Sequence, residues 1–197
     1  GMTALLSAPI ELELHQVEVI TRVLRDPIQR YLLADEVGLG KTIEAGVILR
    51  QHILDNPETH NVLVVVPEGL VRQWKNELRR KCQLSPNLFN HRIEVLSYQE
   101  VIQGEAQQPD LLIIDEAHRI IEQPALYDHL RKLSNPDHCP KLLLLSATPV
   151  SRNEKGFLKL LHLLEPLAYK LEDAEAFKEL VSGRENLANL FGEFMED

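Results

Sequence analysis

The sequence predicts an α/β fold in which a mostly parallel sheet is covered by helices on both faces. Three predicted strands are continuous apolar runs, Val62–Val66, Leu111–Ile114 and Leu142–Leu145, which is typical of strands buried on both sides. Stretches with apolar residues at helical spacing separate these runs, as expected for parallel strands joined by helical crossovers. With 197 residues, 44% of them hydrophobic and 26% charged, the chain can bury a sizeable core as one globular domain.

The first half of the chain alternates predicted helices and strands. Apolar residues at helical spacing predict helices over 11–25, 42–54 and 70–81. Strands are predicted at about 29–34 and at Val62–Val66, where Pro67 ends the run. In the third helix Val71, Trp74 and Leu78 share one face, so we expect Trp74 to lie in the core.

The second half continues the same alternation. Strands are predicted over Arg92–Leu96, Leu111–Ile114 and Leu142–Leu145, with a helix over about 124–133 before the last of them. A helical stripe from Phe157 to Leu164 follows, and apolar residues from Phe177 to Phe194 predict one or two further helices. The chain therefore ends in a helical extension.

A loop with two glycines joins the first strand to the second helix and carries the strongest functional signal. It consists of Asp35, Glu36, Val37, Gly38, Leu39 and Gly40, with Lys41 and Thr42 opening the helix. Such a loop surrounds a polyphosphate with backbone N–H groups, while the lysine reaches the β/γ-phosphates and the threonine ligates Mg²⁺. The usual pattern G-x-x-x-x-G-K-[ST] would place its first glycine at Asp35, so the loop departs from it there. The alternative for Lys41 is an exposed lysine at a helix start, which the helix dipole disfavours.

Two more polar clusters follow apolar strands, Asp115-Glu116 and Ser146-Ala147-Thr148. Ligands of parallel sheets bind beyond the carboxyl ends of the strands, so we expect all three clusters to converge at one edge. Asp115 would hold Mg²⁺ beside the phosphates, and Glu116 would orient and deprotonate the attacking water. The alternative is that the two carboxylates cap the following helix at its positive end.

Together the clusters resemble the motifs of Swi/Snf-type translocases in helicase superfamily two. Residues 33–46 resemble motif I of that family, where aspartate followed by glutamate regularly fills the position of the first glycine, so that Asp35 becomes a match. Asp115-Glu116-Ala117-His118 is similar to the DEAH-type motif II, and Ser146-Ala147-Thr148-Pro149 is similar to motif III. Val37 and Glu44-Ala45-Gly46 are most similar to the bacterial RapA-like branch, which is associated with RNA polymerase.

The resemblance implies a RecA-like P-loop NTPase lobe that uses ATP and Mg²⁺. Residues 35–42 would surround the nucleotide, Thr42 and Asp115 would ligate Mg²⁺, and Gln16 would contact adenine. Ser146, Ala147 and Thr148 would couple the nucleotide site to the nucleic-acid face. Segments similar to motifs Ia and Ib supply the implied nucleic-acid contacts Pro67, Gln73, Ser97 and Tyr98, and the cationic face of the predicted helix adds Arg72 and Lys75, which suit phosphate. The alternative for the face formed by Arg72, Lys75 and Arg79 is that cations near a helix C-terminus, as Arg79 is, are favourable without any ligand.

The resemblance covers about residues 10–165, and we expect the helical extension over about 166–197. The implied domain is the single ATP-binding lobe of a helicase. Family members carry a second lobe whose arginines complete the site, and nothing after residue 150 resembles it. An arginine finger contributes about 10³–10⁵ in rate, so we expect this chain alone to bind ATP weakly and to hydrolyse little of it.

The implied function is Mg²⁺-dependent ATP hydrolysis coupled to movement on double-stranded DNA, remodelling protein–DNA or transcription complexes, with RNA polymerase as a candidate partner. One alternative is the motor lobe of a restriction or phage-defence helicase. The other is a non-hydrolysing, nucleotide-dependent interaction module that docks through its acidic tail. The net charge of −9 predicts weak DNA binding by this lobe alone.

Bulk features favour a cytosolic location, and the resemblance to the RapA-like branch implies the bacterial cytosol or nucleoid. Cys82 and Cys139 lie far apart in the sequence, which fits a reducing compartment. No apolar run approaches about 18 residues, and no basic segment precedes an apolar one at the start of the chain. We therefore expect neither a membrane span nor a secretory signal.

Overall fold

A single sheet of parallel strands organises the computed structural model, which describes residues 13–34, 40–57, 61–84, 92–147 and 154–181. The strands within these ranges are β1 (Arg30–Ala34), β2 (Val62–Val66), β3 (Ile93–Ser97), β4 (Leu111–Ile114) and β5 (Lys141–Ser146). Their spatial order is β1-β5-β4-β2-β3, and every pairing is parallel. The predicted α/β class with a parallel sheet is confirmed.

Helices fill the connections between the strands. They are α1 (Leu14–Arg25), α2 (Gly40–Asp55), α3 (Val71–Lys81), α4 (Tyr98–Ile102), α5 (Pro124–Leu133) and α6 (Glu154–Leu164). A 3₁₀ turn at Leu171–Asp173 leads into a helix over 174–181. All the predicted helices that fall within the described ranges are confirmed, whereas the short α4 was not predicted.

The helices divide between the two faces of the sheet in chain order. On one face, α1, α2 and α3 pack on alternate strand residues, including Val64, Ile113 and Leu143. On the other face, α4, α5 and α6 pack on the intervening residues, including Val65 and Leu144. Because side chains of a strand alternate between faces, strands covered on both sides must be apolar throughout. This arrangement explains the continuous apolar runs in the sequence.

A glycine lets α3 approach α2 closely. A Cβ atom built on Gly46 would lie only 2.6 Å from the Sγ atom of Cys82, the residue that follows α3. Cys82 is buried, so the sulfur has little room to withdraw. The absence of a side chain at Gly46 therefore fixes the distance between α2 and the C-terminal end of α3.

Arg30 at the start of β1 forms hydrogen bonds to the C-terminal ends of α5 and α6, on the face of the sheet opposite α1, α2 and α3. Its guanidinium donates to the carbonyl oxygens of Ser134, which caps α5, and of Leu163 and Leu164, which end α6, at 2.6–2.7 Å. A further bond at 2.6 Å reaches the carbonyl of Cys139. The last carbonyls of a helix have no partner within the helix, so these bonds satisfy groups that would otherwise be buried without one.

The carboxyl ends of the central strands lie side by side. In the strand register Ala34 of β1 pairs with Ser146 of β5, and Ile114 of β4 pairs with Leu144 of β5. Neighbouring strands are about 4.8 Å apart, so the chain leaves β1 and β4 about 10 Å apart, with the end of β5 between them. The three polar clusters of the sequence therefore begin at one edge of the sheet, as predicted.

Candidate functional site

The first component of the site is a lysine in the first turn of α2. Because β1 and β2 are parallel, α2 must run back across the sheet, so its N-terminus lies at the carboxyl edge. Lys41 is only 5% exposed there, which rules out the alternative of an exposed helix-start lysine. A cation at this end of a helix is opposed by the macrodipole and by burial, so an anion bound beside it would be favoured. Thr42 follows in the same turn and is half-buried.

Gln16 of α1 lies against the start of α2. A Cβ atom on Gly40 would come within 2.8 Å of the Gln16 Nε2 atom, and Gln16 is itself buried. Its carbonyl oxygen accepts the backbone N–H of Glu13 at 2.9 Å, which completes the N-terminal capping box of α1. The Gln16 side chain is therefore oriented with its amide nitrogen toward the first residue of α2.

The carboxylate of Asp115 is held by two donors. The indole Nε1–H of Trp74 donates to Oδ2 at 2.8 Å, and the backbone N–H of Glu116 donates to Oδ1 at 2.8 Å. The backbone N–H of Asp115 in turn donates to the carbonyl of Val65 in the neighbouring strand. Asp115 is thus fixed directly beyond the end of β4, both in its backbone and in its side chain.

Glu116 adopts a left-handed backbone conformation, with φ 51° and ψ 45°. This conformation is unfavourable for a residue with a Cβ atom and is concentrated at functional sites. The Tyr98 hydroxyl donates to the carbonyl of Asp115 at 2.6 Å and lies 3.2 Å from that of Glu116. Burial raises the pKa of Tyr98, so its hydroxyl stays protonated and remains a donor. Tyr98 therefore stabilises the strained turn through its hydrogen bond to the backbone.

A histidine connects this turn to the end of β5. The Nε2 atom of His118 lies 3.3 Å from the Glu116 Oε2 atom, and its Nδ1 atom lies 3.0 Å from the Ser146 hydroxyl. Ser146 is fully buried at the end of its strand. The residues that the sequence assigned to motifs II and III are therefore in direct contact. The Glu116 side chain makes no hydrogen bond that caps the turn at Ala117–Arg119, whereas Asp115 Oδ1 accepts the N–H of Glu116 just before it, so the capping alternative fails for Glu116 alone.

Several predicted site residues fall outside the described part of the chain. They are Asp35, Glu36, Val37, Gly38, Leu39 and Thr148. The neighbouring Gly40 and Ala147 are described and lie at the carboxyl edge, in the first turn of α2 and directly after β5.

The predicted nucleic-acid residues divide into exposed and buried groups. Arg72 and Gln73 are exposed on α3, and Lys75 is half-buried. Pro67, Ser97 and Tyr98 are buried, and the side chains of the last two are used within the fold. Ser97 caps α4 by accepting the N–H of Glu100 at 3.2 Å, and Tyr98 supports the Asp115-Glu116 turn. The predicted contact of Ser97 and Tyr98 with nucleic acid stays a prediction, and within the lobe both side chains make contacts in the fold.

The donors at this edge suit Mg²⁺ better than a transition metal. Among the described residues, no three His, Cys, Asp or Glu side chains gather as a metal cluster. Magnesium does not need such a cluster, because it is commonly held by one or two carboxylates together with phosphate oxygens and water. Asp115 supplies an oriented carboxylate and Thr42 a hydroxyl, so this donor set fits a nucleotide-bound Mg²⁺.

Sequence reasoning missed the hydrogen-bonding roles of Trp74, Tyr98 and His118. A buried indole N–H normally has a partner, which would have prompted the search for an acceptor of Trp74, but the acceptor is 41 positions away. The short α4 did carry a signal, because Ser97 and Glu100 form an S-x-x-E capping box.

Comparison with known proteins gives a family and several relatives. The family model described as "Type III restriction enzyme, res subunit" matches residues 9–151. The RNA polymerase-associated protein RapA of Stutzerimonas stutzeri is 32% identical over 209 aligned residues, which cover 93% of this chain and 22% of that protein. RapA of Pseudomonas aeruginosa is 33% identical over 190 residues, covering 83% of this chain and 20% of that protein. The chain thus spans about a fifth of the length of these relatives.

Solved structures share the fold. The Sulfolobus solfataricus SWI2/SNF2 ATPase core in complex with dsDNA superposes with a TM-score of 0.70 at 16% identity, covering 89% of this chain and 44% of that one. The UvsW helicase of bacteriophage T4 superposes with a TM-score of 0.58 at 16% identity, covering 78% of this chain and 57% of that one.

Within the described ranges, no helix has both the length and the apolar character needed to cross a membrane.

Proposed function

We propose that the chain binds ATP as part of a DNA translocase, because it belongs to the family described as the type III restriction enzyme res subunit. Within that family it is an N-terminal Swi/Snf-type lobe of helicase superfamily two, close to RapA. One observation carries this proposal. The buried Lys41 opens the helix that follows β1, and the Asp115-Glu116 turn follows β4, on the other side of the end of β5. A cation suited to phosphate and a carboxylate pair suited to metal and water therefore share one edge of the sheet.

The proposed reaction is hydrolysis of ATP by in-line attack of water. The phosphates bind at the N-terminus of α2, where Lys41 and the helix dipole favour negative charge. Thr42 and Asp115 hold Mg²⁺, which when bound offsets the charge of the β- and γ-phosphates. Glu116 accepts a proton from the water whose oxygen bonds to the γ-phosphorus, and the bond to the β-phosphate oxygen breaks to release ADP.

The adenine end of the nucleotide is assigned to Gln16. Its carbonyl oxygen already accepts the N–H of Glu13, so the amide nitrogen facing Gly40 is the donor that Gln16 offers. The loop over residues 35–39 is assigned to the phosphates. Ser146, Ala147 and Thr148 are assigned to coupling, and the contact between Ser146 and His118 supports that part of the proposal.

Double-stranded DNA is the proposed track, and a bacterial RNA polymerase complex is the proposed target. A structure with the same fold is described as a complex with dsDNA, and the relatives are named RNA polymerase-associated. The exposed Arg72 and Gln73 and the half-buried Lys75 of α3 would contact the DNA backbone, which gives affinity without sequence preference.

The proposed location is the bacterial cytosol or nucleoid. The proposed domain division is a core over about 10–165 followed by a helical extension.

A second candidate function is the motor lobe of a restriction system. The description of the matched family favours it, since that description names a restriction subunit. Identity of 32% to RapA along 93% of the chain favours the first candidate.

A third candidate, a non-hydrolysing module, would have no use for the oriented Glu116. ATP hydrolysis that survives Glu116→Gln in the full-length protein would remove Glu116 as the base.

Binding of a fluorescent ADP analogue with and without Mg²⁺ tests the site. We expect Asp115→Asn to weaken binding about tenfold in Mg²⁺ and to leave binding in EDTA unchanged, because the variant loses a metal-holding charge. Asp128→Asn is the matched control, since Asp128 is an exposed aspartate of α5. Equal binding by wild type and Asp115→Asn in Mg²⁺ would contradict the assignment of Asp115.

A further inference from the structure

Trp74 connects the helix that carries exposed cationic side chains to the carboxylate of Asp115. Its indole Nε1–H donates to Asp115 Oδ2 at 2.8 Å, and the side chain is only 2% exposed. The other oxygen, Oδ1, accepts the N–H of Glu116, the next residue in the chain. Of the two hydrogen bonds described for this carboxylate, the one from Trp74 comes from a distant element of the chain, the helix α3.

The backbone around Asp115 is already fixed, so the orientation of its side chain depends on the hydrogen bonds from the Glu116 N–H and the Trp74 indole. The N–H of Asp115 donates to the Val65 carbonyl, and the Tyr98 hydroxyl donates to the Asp115 carbonyl. Rotation of the carboxylate about its side-chain bonds would break the bond to Trp74. Charge-assisted hydrogen bonds of this kind are stronger than neutral ones, so the indole selects one orientation.

The helix α3 joins two surfaces. It has 11 residues, with Trp74 and Leu78 buried on one side and Arg72, Gln73 and Arg79 exposed on the other. A polyanion that binds the exposed side would therefore contact the same helix whose buried side carries the indole.

We propose that Trp74 is a positioning residue, which orients the Asp115 carboxylate for Mg²⁺ and transmits the binding of a polyanion on α3 to that carboxylate. The inference rests on the proposed function, since it takes Asp115 as the holder of the metal. It adds a defined link, one side chain long, between the proposed DNA-contacting helix and the hydrolytic turn.

The indole N–H itself reports on this link. Trp74 is the single tryptophan of the 197-residue chain, so it gives one indole resonance in a ¹H–¹⁵N correlation spectrum. We expect Asp115→Ala to move this resonance upfield, because the indole loses its charged acceptor. Addition of Mg²⁺ with ADP should shift the wild-type resonance and not that of Asp115→Ala. Duplex DNA should also shift the wild-type resonance, and the double variant Arg72→Ala/Lys75→Ala should abolish the DNA response alone.

A conservative substitution tests the same link through metal affinity. Trp74→Phe keeps an aromatic ring but removes the donor, so the Mg²⁺ concentration that half-saturates nucleotide binding should rise about tenfold. Binding in EDTA should stay unchanged. Leu78→Val is the matched control, since it reduces packing on the same face of α3 without touching Asp115, and it should leave the Mg²⁺ requirement unaltered.

The possible failures are distinguishable. If Mg²⁺ with ADP shifts other resonances and leaves the indole signal unmoved, the inference is overturned and the proposed function stands. If Mg²⁺ with ADP changes nothing in the spectrum, the proposed function fails and the inference fails with it. An indole signal that stays unmoved while duplex DNA shifts other resonances of α3 overturns the transmitting role. Duplex DNA that shifts no resonance at saturating concentration overturns the proposed DNA contact of α3 and the transmitting role with it. Should Trp74→Phe fail to fold, the wild-type spectra still decide the matter.

Discussion

The Nδ1 atom of His118 lies 3.0 Å from the Ser146 hydroxyl, while its Nε2 atom faces Glu116 Oε2 at 3.3 Å. One imidazole therefore joins the turn after β4 to the end of β5. A carboxylate oxygen accepts hydrogen bonds, so the contact with Glu116 favours a proton on Nε2. In the neutral ring Nδ1 then accepts from the Ser146 hydroxyl, which selects the Nε2–H tautomer.

Replacing Ser146 with alanine should weaken the preference for this tautomer, because it removes one of the two contacts of His118 and leaves the one to Glu116. We expect the imidazole ¹⁵N shifts of His118 in Ser146→Ala to move toward the average of the two tautomers, because Nδ1 loses its donor. The free energy of unfolding should fall by about 1 kcal/mol, the usual net value of one such bond. Long-range ¹H–¹⁵N spectra measure the shifts, and urea denaturation measures the stability.

The control for this variant is Ser134→Ala, which removes another buried serine hydroxyl, at the end of α5 and away from His118. It should leave the His118 shifts unchanged. If Ser146→Ala also leaves them unchanged, the hydrogen bond to Ser146 does not set the tautomer.

The left-handed backbone of Glu116 should make glycine the most stable residue at that position. Glu116→Gly and Glu116→Ala both remove the carboxylate, so their difference isolates the backbone. With φ at 51°, we expect the glycine variant to be more stable than the alanine variant by about 1 kcal/mol. ATP hydrolysis by the full-length protein should be lost in both variants.

Gln83 provides the comparison for this backbone effect, because it has φ 49° and lies outside the site. The Gly–Ala difference at Gln83 should be similar, with nucleotide binding untouched. Equal stability of Glu116→Gly and Glu116→Ala in thermal denaturation would show that the turn stores no strain at this residue.

Gly46 should not tolerate a side chain. Alanine there would place Cβ 2.6 Å from Cys82 Sγ, so we expect Gly46→Ala to lower the free energy of unfolding by about 1–3 kcal/mol, despite the better helix propensity of alanine. Gly69→Ala is the matched control, since a Cβ atom at Gly69 meets nothing within 4 Å.

A double-mutant cycle identifies the clash. Cys82→Ala removes the sulfur, so the cost of Gly46→Ala should be smaller in the Cys82→Ala background than in wild type. The same cost in both backgrounds, measured by chemical denaturation, would mean that the sulfur is not what excludes a side chain.

Arg30 should be among the most sensitive residues for stability. Arg30→Lys cannot reproduce the fork that donates to Ser134, Leu163 and Leu164, and it leaves buried carbonyls without donors. Burial lowers the pKa of Arg30, yet its guanidinium stays protonated near neutral pH, as lysine would not necessarily do when buried. We expect a loss of about 3 kcal/mol or more, with faster amide exchange at the end of α6.

Arg131→Lys is the corresponding control. Arg131 is exposed and lies 3.8 Å from Asp128, a pair of the kind that contributes little. A loss in Arg30→Lys no larger than that in Arg131→Lys would contradict the role of Arg30 at the two helix ends.

Much of this fold could be predicted from the sequence because the sheet is covered on both faces. That cover requires continuous apolar strands, which Val62–Val66 and Leu111–Ile114 display, and it places polar residues just after them. Convergence of the clusters then followed from the rule that parallel strands end at one edge. The prediction that Asp115 lies at the same edge of the sheet as the other polar clusters rested on this rule alone.

Contacts between distant segments could not be predicted in this way. Trp74 looked like an ordinary core residue, because periodicity reports burial and not the acceptor that a buried N–H finds. Ser97 and Tyr98 were assigned by resemblance to a segment that tracks nucleic acid, whereas the fold buries both side chains. Arg30 looked like the first residue of a strand, and its partners more than a hundred positions away are fixed by packing alone.

The most direct test of the account is the affinity of the chain for Mg²⁺ with ATP, measured by isothermal titration calorimetry, in wild type and in Lys41→Ala. Lys155→Ala is the matched control, since Lys155 is also the second residue of a helix but is exposed. We expect Lys41→Ala to weaken binding at least about tenfold, because a buried cation at the phosphate site is lost, and Lys155→Ala to bind as wild type does. Unchanged affinity in Lys41→Ala would contradict the central claim that nucleotide phosphates bind at the start of α2.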